Sequence, residues 1–341
     1  VSTPPADPRA LLHLLFNGAR AVDVVETALR LGLLDALEPG PASLSTLASA
    51  HGFVPARLHK FLDCLESLGL VRREPSPAAG EAEAHYTAVP GLRAAAIAVL
   101  GPHSQERDRE RYAWRELHGH LPEVLRGERS VPAEAFDWPP RSPAQVAGFE
   151  ASMAAGLGPI QEAFLLHAPQ LMPEGTRLLD VGGGDGSLGA HLLEAMPGLR
   201  VDVYNLPTCE PLVARTRRVR RLEDRLGFVA GDFLREPLPR GYDALSFVRV
   251  LHDWPEDTAR ALLRAALDTL PPGGLVLICE EFRTPGRLAA QFFWSYFLMG
   301  VDSCTSALRE LAFYTRELEA LGFRDVCVRP GPFELVTARK P

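Results

Sequence analysis

Apolar residues recur every three or four positions from Leu11 to Leu37, in LLHLLFNGARAVDVVETALRLGLLDAL, which predicts helices with a stop at Gly32. The first ten residues hold three prolines and read as a frayed end. Ser43 opens a short helical stretch, SLSTLASA, and Gly52 closes it. Pro55 begins a second stretch, PARLHKFLDCLESLGLV, with proline at the first turn and Gly69 near the end. LVRREP and AHYTAV follow as strand-like runs on either side of residues 76–84. Helix, turn, helix and a two-stranded wing outline a winged helix. Residues 92–136 mix helix and loop, DWPPRSP (137–143) is loop, and 144–168 returns to helical spacing.

The texture then changes, and a domain boundary is expected near Pro169 to Gly175. The short apolar runs RLLDV, LRVDVYNL, LGFVAGD, YDALSFVRVLHDW and GGLVLICEE alternate with helical stretches, among them 208–223 and 256–270. That rhythm predicts a parallel sheet covered by helices on both faces. The closing RDVCVRPGPFELVTARK reads as two strands joined at PGP, an antiparallel hairpin, which brings the expected sheet to seven strands.

At 341 residues the chain is too long for one compact core. It is 46% hydrophobic and 23% charged, as a globular protein is. A net charge of −7 gives it no overall attraction to nucleic acid or to an anionic membrane. The second helix of the winged helix sets Arg57, His59 and Lys60 against Asp63 and Glu66, which is not the basic stripe that phosphate contacts need. No apolar run reaches the roughly 18 to 20 residues of a membrane span, and VSTPPADPRA has no signal-peptide core. Cys64, Cys209, Cys279, Cys304 and Cys327 form no CxxC pair, so free thiols and a cytoplasmic location are expected. No His, Cys and Asp cluster has metal-ligand spacing.

The strongest chemical signal is LLDVGGGDGSL, between a strand and a helix, where a doubly wound sheet binds its ligand. Gly182, Gly184 and Gly186 follow G-x-G-x-G rather than the dinucleotide pattern G-x-G-x-x-G. Asp180 and Asp185 would repel a pyrophosphate. They suit a ligand carrying an ammonium and a sulfonium, S-adenosylmethionine.

That loop, with VYNLP, AGDF, VRVLHDWPED, LPPGGLVLICEE and LEALGF in order behind a winged-helix-like start, resembles one family across nearly the whole chain. It is the S-adenosylmethionine-dependent methyltransferases that act on hydroxyls of small aromatic molecules, the plant caffeate-type enzymes and the bacterial enzymes of polyketide and antibiotic pathways. The resemblance implies an α/β chain in three parts. Residues 1–100 form a helical winged-helix domain that makes a homodimer, 101–170 connecting helices and a substrate cap, and 171–341 a Rossmann-like cofactor-binding domain. Helices apolar on more than one face at 11–37 agree with dimerisation.

It also implies roles. Asn205 and Leu206 stand in N-L-P, where the family has D-L-P and an acid holding the ribose. Asp232 and Phe233 match the pair at the adenine, and Arg249 reaches toward the cofactor. His252 is the general base, suited by an ordinary pKa of about 6.5. A glutamate at the end of the next strand orients it; Pro285 assigns that role to Glu281, with Glu280 the lesser choice. Asp253 braces the acceptor loop. Phe149 and Met153 cover the acceptor, and Phe293, Phe297 and Met299, with Phe292, Trp294 and Tyr296, form an acceptor wall. The family's second glutamate falls on Leu308, before Arg309, leaving Glu310 as a weak substitute. FLMGVDSCTSALREL and Asn205 are closer to the bacteriochlorophyllide C-methyltransferases, so carbon methylation stands as an alternative, as does a cofactor-binding relative with other chemistry.

Overall fold

A computed structural model describes residues 8–74, 84–102, 119–130, 143–284 and 307–341, together with 104, 117, 292, 295, 296 and 299. The chain forms two compact units, Val1–Arg109 and Glu110–Pro341. The stretch expected to stand apart as 101–170 is divided between them.

In the first unit, helices span Pro8–Phe16, Gly18–Arg30, Leu33–Leu37, Leu44–His51, Pro55–Ser67 and Leu92–Leu100. Gly32 does break the pattern, at a φ of 73° that favours glycine. Ser43 caps the fourth helix by accepting the Thr46 N–H at 3.0 Å. Strands β1 (Ala42–Ser43), β2 (Val71–Glu74) and β3 (His85–Ala88) form an antiparallel sheet in the order β1-β3-β2. The wing thus has a third strand of two residues, too short to leave a pattern in the sequence. The expected wing tip lies outside the described residues except for Ala84. Leu33, Leu34, Leu37, Leu62, Leu65 and Tyr86 close a core of their own. His59 turns inward to the Tyr86 hydroxyl, 3.0 Å away, so it is spent on that core rather than offered to a partner.

In the second unit, β4 (Arg177–Val181), β5 (Arg200–Asn205), β6 (Leu226–Ala230), β7 (Ala244–Val248), β8 (Leu275–Cys279), β9 (Arg324–Arg329) and β10 (Leu335–Arg339) form one sheet. The order is β6-β5-β4-β7-β8-β10-β9. β4 pairs in parallel with both β5 and β7, β5 with β6 and β7 with β8, whereas β10 is antiparallel to β8 and β9. Alternation along each strand serves both faces. Leu179, Val181, Leu245, Phe247, Val276 and Ile278 meet the helices Glu256–Thr269 and Leu311–Leu321 on one side. Leu178, Val201, Val203, Leu275 and Cys279 meet Gly158–Leu171, Ser187–Ala195 and Glu210–Arg220 on the other.

The boundary expected near Pro169–Gly175 is corrected by the helix Gly158–Leu171. Its Ile160, Phe164 and Ala168 are fully buried in the second of these cores, which ties it to the sheet. Pro169 lies within that helix. Among the described residues, no helix is long and apolar enough to cross a membrane.

Candidate active site

The strand order reverses about β4, whose neighbours β5 and β7 lie on opposite sides, and a crevice opens beyond the carboxyl ends of these strands. The glycine loop follows β4 into that crevice. Gly182, Gly184 and Gly186 have φ of 73°, 58° and 78°, so each needs the freedom that glycine has. Neighbours are close as well: a Cβ on Gly182 would stand 2.7 Å from Val250 Cγ2, and one on Gly184 2.3 Å from Glu150 Oε2.

The loop lines a cavity of about 410 Å³. Of the residues expected at the cofactor, Asp180, Gly182, Gly184, Asn205, Leu206, Asp232, Phe233 and Arg249 line it. Gly186 instead starts the helix Ser187–Ala195. Asp180 is buried and accepts a 2.6 Å hydrogen bond from Ser246 on β7. Burial raises its pKa to about 6, against the stabilising pull of that bond. Asp185 accepts the Ser187 N–H at 2.9 Å. Asn205 Oδ1 accepts the Leu206 N–H at 2.8 Å, fixing the turn after β5. Asp232 accepts the Leu234 N–H at 2.9 Å, so it shapes its own loop while facing the cavity. Phe233 meets Trp254 edge to face, at a centroid distance of 6.1 Å. Acids of the glycine loop and the aromatic rings that line the same cavity fit S-adenosylmethionine, with its cationic amino-acid and sulfonium end and its flat base. They do not fit a pyrophosphate.

His252 lies in the turn after β7, between Val250 and Asp253, both of which line the cavity. Its own side chain is mostly buried behind them. Its partner corrects the expectation from sequence: Glu280, not Glu281, meets the imidazole, with Oε2 2.7 Å from Nδ1. The approach is oblique to the ring N–H, an ion pair rather than a straight hydrogen bond. Oε1 of the same carboxylate accepts the N–H groups of Val250 and Leu251 at 3.1 and 2.8 Å. Glu280 therefore fixes both the turn and the ring. The reason is the pleat. Ile278 and Phe282 point into the core that holds Leu251, and Glu280 lies between them on the same face, whereas Cys279 points to the opposite side. Glu281 follows Cys279 to that side, where its charge acts on Arg249.

Burial alone would lower the pKa of His252. The carboxylates of Glu280 and Asp253, the latter 3.4 Å from Nε2, outweigh it and push the imidazole up to about 9. Arg249 has a φ of 53°, a strained value for a residue with a side chain. It donates to the Met153 carbonyl, and burial lowers its pKa.

The acceptor side is less complete. Met153 and Asp253 line the cavity. Phe149 lies on the helix Pro143–Ala155, but its side chain is outside the described residues, as are Phe293 and Phe297. Met299 is 40% exposed and Phe292 68%, and neither lines the cavity, so the expected wall is not formed by these two. Glu310 is exposed at the start of the helix Leu311–Leu321. Its neighbour Arg309 is the residue that the sequence reading passed over. Buried, it donates to the Leu251 carbonyl at 2.9 Å and to that of Trp254, while the Ala307 N–H reaches the His252 carbonyl at 2.8 Å. The resemblance points to that spot for the acid missing at Leu308 and not for Arg309. Glu150, one residue beyond Phe149, was missed because helical spacing marks apolar partners and says nothing of a lone acid. Among the described residues, no group of three His, Cys, Asp or Glu is placed to hold a metal ion.

Comparison with known proteins agrees with this geometry. The O-methyltransferase domain family matches residues 114–297, and the O-methyltransferase dimerisation domain matches 13–90. The tetracenomycin polyketide synthesis 8-O-methyl transferase TcmO of Streptomyces glaucescens is 30% identical over 97% of this chain and 95% of its own. The bacteriochlorophyllide d C-20 methyltransferase of Chlorobaculum tepidum is 27% identical over 96% of each. The crystal structure of the S-adenosylmethionine-dependent methyltransferase SibL in its apo form superposes with a TM-score of 0.70 at 25% identity, covering 97% of this chain and 99% of that one.

Proposed function

The chain belongs to the S-adenosylmethionine-dependent O-methyltransferase family, and from that premise we propose that it methylates a hydroxyl of a small aromatic, polyketide-type acceptor with His252 as general base. The observation that carries the role of His252 is its ring, held through Nδ1 by Glu280 beside the cavity that the glycine loop lines. S-adenosylmethionine, bound there, supplies a methyl group already activated on a sulfonium. With Nδ1 facing Glu280, Nε2, beside the cavity-lining Asp253, is the atom that would take the acceptor's proton. His252 Nε2 would take the acceptor's hydroxyl proton while that oxygen takes up the methyl group, so that the acceptor would leave as its methyl ether and the cofactor as S-adenosylhomocysteine. Glu280 stabilises the imidazolium so formed, and Arg309 and Ala307 hold its turn by the backbone. The protein's main contribution is alignment and exclusion of water. The acceptor class is supported by the named activity of TcmO.

Carbon methylation is the second reading, favoured by the similarity to the C-20 methyltransferase and by Leu308 in place of a second acid. Calorimetric titration tests the cofactor: S-adenosylmethionine and S-adenosylhomocysteine bind and NAD does not. Tighter binding of NAD would overturn the assignment. Mass spectrometry of phenols and naphthols incubated with the enzyme and S-adenosylmethionine then reads the acceptor, and tandem fragmentation tells an O-methyl from a C-methyl product.

We also infer a homodimer and a cytoplasmic location. The match to the dimerisation domain supports the first. So does the apolar helix Pro8–Phe16, on which Leu12 and Leu15 are each 65% exposed and Phe16 83%. Light scattering is expected to give twice the chain mass at micromolar concentration, and a monomer there would refute the dimer. The thiols of Cys64, Cys209, Cys279 and Cys327, all unbridged, support a reducing compartment.

A further inference from the structure

One face of the segment around the helix Pro143–Ala155 lines the cavity through Val146, Glu150, Met153, Ala154 and Leu157. Four of these five are apolar, and the fifth is a carboxylate. An acid on an apolar face inside a cavity is unfavourable unless a ligand answers its charge. Among the described residues, the Glu150 carboxylate forms no ion pair; its Oε1 meets only the weak thiol donor of Cys209, at 4.0 Å. Its Oε2 stands over Gly184, 2.3 Å from where a Cβ would lie. It therefore faces the part of the ligand seated on the glycine loop. Arg249 lines the same cavity from the turn after β7, near enough to act on Glu150 by charge. An acid and a guanidinium that share a cavity without pairing suit an α-amino-acid zwitterion.

We propose that Glu150 is the counter-charge for the α-ammonium at the amino-acid end of the cofactor. The proposal rests on the reading that this cavity holds S-adenosylmethionine. It assigns Glu150 to binding and leaves proton transfer to His252. The groups facing Glu150 are Asp185 on the glycine loop, Arg249 after β7 and Cys209 after β5. Burial, then the charge of Asp185, raises the Glu150 pKa to about 7, and Arg249 opposes them. The cofactor-free carboxyl is thus protonated below about pH 7, where it must release its proton to meet an ammonium. Affinity should fall as pH drops through 7.

The test is calorimetric titration of the wild type, Glu150→Gln and Glu150→Asp with three probes. These are S-adenosylmethionine, S-adenosylhomocysteine and 5′-methylthioadenosine, which lacks the amino-acid end. Losing a charge-assisted bond should weaken the first two together by about tenfold or more in Glu150→Gln, with 5′-methylthioadenosine unchanged. Glu150→Asp should recover part of the loss, and the pH dependence near 7 should vanish in Glu150→Gln. Unchanged S-adenosylhomocysteine affinity in Glu150→Gln would overturn the proposal. Equal weakening of 5′-methylthioadenosine would do so as well, since it would show general damage to the cavity. A wild type that binds neither S-adenosyl compound would instead overturn the underlying cofactor reading.

Discussion

His252→Ala is expected to lower the single-turnover rate of methyl transfer by about 10² to 10⁴, the contribution of a positioned general base. S-adenosylmethionine affinity should barely change, because the imidazole does not line the cofactor cavity. The pH profile makes the test sharper. Only the neutral imidazole accepts a proton, and the carboxylates around it push its pKa up to about 9. The logarithm of kcat/KM, which reports the free enzyme, should therefore rise with pH and level off above about 9, not above the ordinary histidine value of about 6.5. His252→Ala should lose that limb. If the acceptor is already ionised or is a nucleophilic carbon, His252→Ala would keep most of its activity, and the profile would follow the acceptor's own pKa. That result would sink the base role and favour carbon methylation.

Glu280→Gln should reduce the plateau rate by about 10- to 100-fold, in line with loss of a charge-assisted contact worth about 1.5–3 kcal/mol. The acid limb should move in the opposite sense to the damage. Without the carboxylate the imidazole loses its proton more easily, so the limb shifts from about 9 toward the ordinary histidine value. A residue that only braced the turn would lower the rate without moving the limb. Glu281→Gln is the control, because Glu281 acts on Arg249 rather than on His252. It should leave the limb in place. A shift with Glu281→Gln and none with Glu280→Gln, measured by stopped-flow or quench kinetics from pH 6 to 10, would reverse the assignment of the dyad.

Much of the molecule was legible before folding. Alternation of apolar runs with helical stretches gave the parallel sheet, because a strand buried on both faces must be apolar along its length, as LLV is in β4 around Asp180. The glycine cluster marked the ligand loop because positive φ is unfavourable for any residue with a Cβ, and all three spaced glycines have it. HDW placed His252 in the turn after β7. Where the reading failed, the missing quantity was orientation or contact in space. Pro169 looked like a boundary, but it lies inside a helix held to the sheet by Ile160 and Phe164. Met299 looked like wall and is exposed.

The sequence by itself determined the two kinds of unit, the order of strands and helices, the cofactor class and the histidine, because each depends on local backbone preference, periodicity or a short motif. Only the tertiary structure decided which of two adjacent glutamates meets His252, since neighbouring residues of a strand face opposite sides and only packing says which side holds the imidazole. It also decided the rise of that imidazole's pKa and the arrival of Arg309 and Glu150 from distant helices and turns. Charge interaction and burial depend on distance in the folded chain, and no spacing along the sequence records them.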